Sequence, residues 1–327
     1  MELMIETHDL AKTYKTADGE EVQAVRGIDL EIRRGEIFSL LGPNGAGKTT
    51  TISMISGLVE PTRGDAEIGG FSITKQPLQA KRLMGVVPQE IALYNTLTGR
   101  QNLEFFGKMY GLRGARLNER VDEVLEFVGL SDRQKDKVEN YSGGMKRRLN
   151  VGVGLLHKPE LVYMDEPTVG IDPQSRRRIL DTVKELRDER GMTVLYTTHL
   201  MEEAQELSDR VGIMDHGEII ALGTQGELIQ SVGEEDMLIL KVGGGEIGER
   251  LPHQLQRDVP GVTQVLVEQN DKDSVGLLKI SAKRGRKALP DVIQLTEAAG
   301  VEVQSVEIRE PDLEAVFLHL TGRALRD

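Results

Sequence analysis

Cysteine is absent from the 327 residues, which excludes disulfides and thiolate metal sites and fits a reducing compartment. Tryptophan is absent too and aromatics make up only 4%, so few side chains are available to stack on nucleobases. Positive charge is in deficit: the formal net charge is −12, which argues against a nucleic-acid partner. No apolar run reaches the length of a membrane span, about 18 residues. The N-terminal stretch, residues 1–10, lacks the apolar core of a signal peptide. Any membrane role therefore has to run through a partner chain. The length suffices for two domains.

What is there centres on Gly42-Pro43-Asn44-Gly45-Ala46-Gly47-Lys48-Thr49-Thr50, which satisfies G-x-x-x-x-G-K-[ST]. The apolar run Ile37–Leu41 before it reads as a strand, and Thr49–Leu58 after it as a helix stopped near Gly57. Strand, glycine loop and helix are the context this phosphate-binding motif needs. Glycines let the backbone wrap around phosphates with its N–H groups inward, and the helix N-terminus adds partial positive charge. Lys48 is placed to reach the β- and γ-phosphates, and the Thr49 hydroxyl to hold Mg²⁺.

Around this motif, residues 1–35 alternate apolar and polar with turns at Ala17-Asp18-Gly19-Glu20 and Arg34-Gly35, predicting antiparallel strands. Tyr14 in them is either a half-buried strand residue or, ahead of a phosphate loop, a residue that stacks on a base. Residues 64–74 read as a hairpin edge, Gly85–Gln89 as a strand broken by Pro88, and 95–158 as helical. Leu161–Met164 is an apolar strand ending in Asp165-Glu166, the usual source of a second Mg²⁺ contact. Asp172-Pro173 opens a helix. Thr193–Thr198 is the next core strand, with His199 at its C-terminal tip, where open α/β sheets bind ligands. Ser142-Gly143-Gly144 at another helix start makes a second anion-gripping N-terminus. Two such ends in one chain suggest that two chains can each lend half a site. Residues 211–222 read as a hairpin. Beyond a polar stretch, strand 237–242, helix 248–257, strands 262–268 and 275–281, helix 288–299 and strand 301–308 give the split β-α-β-β-α-β pattern, followed by a helix at 312–320 after Pro311. His253, His319 and the basic cluster 283–287, read as a solvated loop, form no catalytic constellation.

Over residues 1 to about 225 the chain resembles the nucleotide-binding subunit of ABC transporters. Tyr14 matches the adenine-stacking aromatic, Gly42 to Thr50 the Walker A loop, Gln89 the Q-loop and Leu161 to Asp165 Walker B. Glu166 matches the catalytic glutamate, Gly170-Ile171-Asp172 the D-loop and His199 the switch histidine. The signature departs from Leu-Ser-Gly-Gly-Gln, with Tyr141 and Met145 at its ends, while Ser142, Gly143 and Gly144 are intact. The tail, Leu313 to Arg323, resembles the daunorubicin-resistance-type exporter ATPases.

The resemblance implies an α/β fold: a P-loop cassette with a mixed core sheet, an antiparallel β subdomain and a helical signature subdomain, plus a small C-terminal α+β ferredoxin-like domain. The expected division is 1–225 for the ATP-binding domain, with the helical part at about 90–158, a linker at 226–236 and an accessory domain at 237–327. The implied activity is ATP hydrolysis coupled to export. Mg²⁺ is held by Thr49, Gln89 and Asp165, the attacking water is handled by Glu166 and His199, and Ser142, Gly143 and Gly144 of a second copy close the site. The implied partners are that second copy and a separately encoded multi-span permease, at the cytoplasmic face of the membrane. A soluble cassette working on DNA or ribosomes is disfavoured by the absence of a long coiled coil between Thr49 and Met164 and of a second cassette. A cassette that binds without hydrolysing is disfavoured by Glu166 and His199, and a GTPase by the lack of N-K-x-D.

Overall fold

The computed structural model describes residues 2–16, 18–232, 235–243, 247, 250–269, 275–309 and 312–322. Readings that touch Ala17, residues 233–234 and 248–249, Pro311 or Arg323 lie outside the described residues. The chain divides into two compact units meeting at Leu222 and Gly223. No helix among the described residues is long and apolar enough to cross a membrane.

The first unit starts with two long antiparallel strands, β1 (Leu3–Lys15) and β2 (Glu21–Arg33), in which Ile5 faces Ile32 and Thr7 faces Leu30. They are followed by β3 (Ile37–Leu41), α1 (Lys48–Ile55), β4 (Arg63–Ile68), β5 (Phe71–Ser72), α2 (Pro77–Leu83) and β6 (Met84–Val87). Three helices come next: α3 (Gly99–Met109), α4 (Gly114–Phe127) and α5 (Gly143–Leu155). Then follow β7 (Leu161–Asp165), α6 (Pro173–Asp188), β8 (Thr193–Thr198), α7 (Met201–Leu207), β9 (Arg210–Asp215) and β10 (Glu218–Gly223).

One sheet has the order β2-β1-β4-β5, the antiparallel layer that alternation predicts. The other has the order β10-β9-β3-β8-β7-β6, in which β3, β6, β7, β8 and β9 run parallel. Every residue of β3, β7 and β8 is buried, as befits parallel strands covered on both faces. β10 folds back on β9 through His216-Gly217, both at positive φ, as a two-residue hairpin turn requires. The parallel order brings the C-terminal ends of β3, β7 and β8 side by side, and this adjacency positions the site.

The helical part begins at Thr98, whose side chain and that of Gln101 cap α3 reciprocally. Its own core joins Leu103, Val121, Val124, Leu125, Leu149 and Val153. Gly129, at positive φ, ends α4 as the sequence predicts.

The second unit contains α8 (Gln225–Val232), β11 (Glu235–Gly243), α9 (Arg250–Asp258), β12 (Val262–Gln269), β13 (Val275–Lys283), α10 (Gly285–Ala298), β14 (Glu302–Arg309) and α11 (Leu313–Thr321). Its sheet order, β12-β13-β11-β14, is antiparallel throughout and follows the connections of a split β-α-β-β-α-β pattern. Leu238 and Leu240 face the cluster containing Leu251, Leu255 and Val292 of α9 and α10, whereas Met237 packs with Ala315 and Leu318 of α11. That alternation puts helices on both faces of the sheet.

Two expectations need correction. The stretch 226–236 is not a bare linker: α8 occupies Gln225–Val232, and its Leu228 is buried. Its N-terminus is capped because Thr224 Oγ1 accepts from the Glu227 N–H at 3.2 Å, while the Glu227 carboxylate accepts from the Thr224 N–H at 2.7 Å. The basic cluster 283–287 is not wholly a loop either: α10 begins at Gly285, whose N–H donates to Asp236.

Candidate functional site

The loop between β3 and α1 is shaped by steric demands. Gly47 sits at φ 105°, and a Cβ there meets the Ala24 carbonyl oxygen at 2.5 Å and the Met214 methyl at 2.7 Å. Only glycine takes that conformation in that space. The turn leaves Lys48 as the first residue of α1, 4% exposed. Its ammonium donates to the Gly42 and Pro43 carbonyls at 2.7 and 3.1 Å and lies 3.2 Å from Glu166 Oε1.

Asp165 ends β7 and is buried. Its Oδ1 accepts from Thr49 Oγ1 at 3.3 Å and from Thr197 Oγ1 at 2.7 Å. Thr197 Oγ1 also accepts from the Glu166 N–H at 3.0 Å. That hydroxyl therefore ties the Asp165 carboxylate to the backbone of Glu166, a role the sequence reading missed. Glu166 itself adopts φ 42°, in the left-handed region that non-glycine residues avoid. Its second oxygen, Oε2, lies 3.1 Å from His199 Nδ1. Five predicted residues, Lys48, Thr49, Asp165, Glu166 and His199, thus converge at the ends of three strands.

One carboxylate and one hydroxyl at 3.3 Å suit Mg²⁺, which takes few protein oxygens and completes its shell with phosphate and water. Among the described residues no group of three or more His, Cys, Asp or Glu side chains that could hold a metal ion occurs. Among the described residues no hydrogen bond joins the Gln89 side chain to this pair. It is exposed just beyond β6, and its backbone carbonyl accepts from Arg147 Nη2 at 2.6 Å. Arg147, on α5, also donates to the Pro88 carbonyl at 2.9 Å. Burial lowers its guanidinium below the usual range, and the nearby Tyr196 and Asp165 oppose that effect.

Tyr14 stands 40% exposed near the end of β1, with the Lys12 ammonium 5.2 Å from its ring centre. Asp172 caps α6 by accepting from the Ser175 N–H at 3.0 Å, and the bonds from Ser175 hold its carboxyl below the ordinary range. Ser142 caps α5 and is exposed, as is Gly143. Among the described residues no hydrogen bond or ion pair joins Ser142 or Gly143 to Lys48, Asp165 or Glu166. Gly144 is glycine for a local reason: a Cβ there falls 1.9 Å from Ser175 Oγ, whereas a Cβ at Gly143 meets nothing within 4 Å. Tyr141, which replaces the usual leucine, is buried and donates to the Arg133 carbonyl at 2.8 Å. Burial raises its phenol above the usual value.

The arrangement can bind a polyphosphate, hold its metal and present a carboxylate–imidazole pair to water. A family model described as ABC transporter matches residues 25–169. The chain is 50% identical to the linearmycin resistance ATP-binding protein LnrL of Bacillus subtilis, over 97% of this chain and 99% of that one. It is 37% identical to the daunorubicin resistance ATP-binding protein DrrA3 of Streptomyces coeruleorubidus, over 96% and 97% of the two chains. Among solved structures, a dimeric ATP-binding cassette in a post-hydrolysis state with ADP and Pi matches with a TM-score of 0.62 and 28% identity, covering 68% of this chain and 98% of that one. The chain belongs to the ABC transporter family, as one of its ATP-hydrolysing ATP-binding proteins.

Proposed function

We propose that this chain powers the export of hydrophobic drug-like compounds, as a homodimer docked on a separately encoded multi-span permease at the cytoplasmic face of the membrane. The observation that carries the hydrolytic half is the convergence of Lys48, Thr49, Asp165, Glu166 and His199 within hydrogen-bonding reach. Lys48 and the loop amides hold the phosphates, and Thr49 and Asp165 hold Mg²⁺, with Gln89 joining on closure. The ion supplies charge neutralisation on the phosphates. Glu166 takes the proton of the attacking water, and His199 holds that carboxylate in place. Tyr14 stacks on the base. Ser142, Gly143 and Gly144 of a second copy complete each site, with Asp172 beside them. The C-terminal unit acts as an accessory to coupling.

Docking on a permease is supported by an exposed aromatic patch beyond the Gln89 loop. Tyr94 packs on Phe105 at 4.9 Å and Phe105 on Phe106 at 5.3 Å, while Met109 and Tyr110 stand exposed at the end of the same helix. Such patches mark interaction surfaces. The named relatives are resistance proteins, which supports export; none supports a cassette uncoupled from transport.

The test is co-expression with a candidate multi-span permease subunit. The expected result is membrane retention of the chain and ATP-dependent drug efflux, with Glu166→Gln retained but silent. A chain that hydrolyses ATP yet is neither retained nor able to drive efflux would overturn the transport reading.

A further inference from the structure

Glu203 is 1% exposed, an unusual place for a carboxylate. Its Oε2 accepts from the hydroxyls of Thr168, Tyr196 and Thr198, each at 2.9 Å. Its Oε1 accepts from Arg176 Nε at 2.7 Å. Four donors from three separate elements therefore meet on one side chain. Burial and the Glu203 charge push the Tyr196 phenol well above its usual range, which keeps it a donor.

The donors are placed tellingly. Thr198 is the residue before His199, and its Oγ1 also accepts from the Leu200 N–H at 2.9 Å, so the turn that carries His199 is tied on both sides. Thr168 lies two residues after Glu166, inside a turn closed by the Val169 N–H on the Glu166 carbonyl at 3.3 Å. Arg176 sits in the first turn of α6, just beyond the cap Asp172. Among the described residues, no hydrogen bond or ion pair joins the Glu203 side chain to Lys48, Glu166 or His199 themselves. Burying an ion costs several kcal/mol before pairing, and an apolar side chain would hold α7 as well. What an apolar side chain cannot do is orient three hydroxyls and an arginine at once.

We propose that Glu203 is a positioning residue for ATP hydrolysis, setting Glu166 against His199 by gripping the residue next to the histidine and the turn after the glutamate. The inference rests on the reading of Glu166 and His199 as the working pair. A glutamine at this position sets an amide donor against either Arg176 or the hydroxyls, so the grip fails while the volume is kept. Misplacement by a fraction of an ångström is felt in the chemical step and not in nucleotide affinity.

The test measures steady-state ATPase in the purified full-length chain for Glu203→Gln, Thr198→Val, Thr198→Ser and Glu166→Gln, with a thermal melt of each. Glu203→Gln is expected to lower kcat by about tenfold or more with KM for ATP within about threefold of wild type. Thr198→Val, isosteric but without the hydroxyl, falls in the same way, and Thr198→Ser recovers turnover. Wild-type kcat in folded Glu203→Gln, or equal losses in Thr198→Val and Thr198→Ser, overturns the proposal. If Glu203→Gln does not fold, the Thr198 pair decides. Retained turnover in Glu166→Gln would instead overturn the reading of the pair itself.

Discussion

The Lys48 ammonium and the Glu166 carboxylate lie 3.2 Å apart, and both side chains are almost wholly buried. His199 holds the other carboxylate oxygen. A phosphate bound in the loop would compete with Glu166 for Lys48 and would free one carboxylate oxygen for water. Glu166→Gln keeps the shape but removes the proton acceptor. Its turnover should fall by about 10²–10⁴-fold, the usual contribution of a general base, while ATP affinity stays within about threefold. Phosphate release and equilibrium nucleotide binding measure the two, and wild-type turnover refutes the assignment.

Tyr14 has an exposed ring face and a nearby cation. Tyr14→Ala should weaken ATP binding by about 1–3 kcal/mol, the worth of one base–aromatic stack, and Tyr14→Phe should change it little. Unchanged binding in the alanine variant returns Tyr14 to strand packing.

His157 should make stability depend on pH. Its Nε2 donates to the Met84 carbonyl at 2.9 Å, its Nδ1 is buried without a partner, and its ring stacks on Tyr110 at 4.1 Å. Burial lowers its pKa from 6.5, with the Met84 bond opposing and Arg120 assisting. Below the ordinary value the unfolded chain binds the proton that the folded chain resists. The stabilisation is therefore complete above 6.5 and is lost as pH falls towards the lowered folded-state value. The melting temperature of wild type should drop more steeply than that of His157→Phe between about pH 7 and 5, because phenylalanine keeps the stack and cannot titrate. Parallel curves sink the idea.

A shared nucleotide site predicts complementation between two dead variants. Lys48→Ala removes the phosphate cation, and Gly143→Asp sets a carboxylate at the exposed start of α5. Gly143 is the position for this because a side chain there meets nothing within 4 Å, whereas one at Gly144 collides with Ser175. Each homodimer should fail at both sites. A mixed dimer carries both lesions at one site and none at the other, so mixing should restore trapped ATP. Equal trapping before and after mixing of subunits known to exchange means the site is not shared.

Much of this was legible in the sequence because it is local. The loop at Gly42–Thr49 is a spacing, the strand before Asp165 a short apolar run, and the cap of α6 a dipeptide. Three helices escaped. α2 and α7 are two turns each, too short for a period to show. α8 hid in an acidic, glycine-rich stretch, although Thr224 and Glu227 spell a capping box. Thr197 and Glu203 were invisible for another reason. In Met201-Glu202-Glu203-Ala204-Gln205-Glu206, only burial separates the second glutamate from the others, and burial comes from strands distant in the chain.

The grip of Arg147 on the Pro88 and Gln89 carbonyls makes a mechanical link of α5. The arginine lies in the second turn of the helix that Ser142 caps, so the two bonds tie that helix to the loop. A displacement of the capped end of α5 would be passed to residues 88–89 through these bonds, and a pull on that loop would be passed back to the helix end. Two features far apart in the chain are thereby joined through one side chain, and its loss would leave each to respond alone.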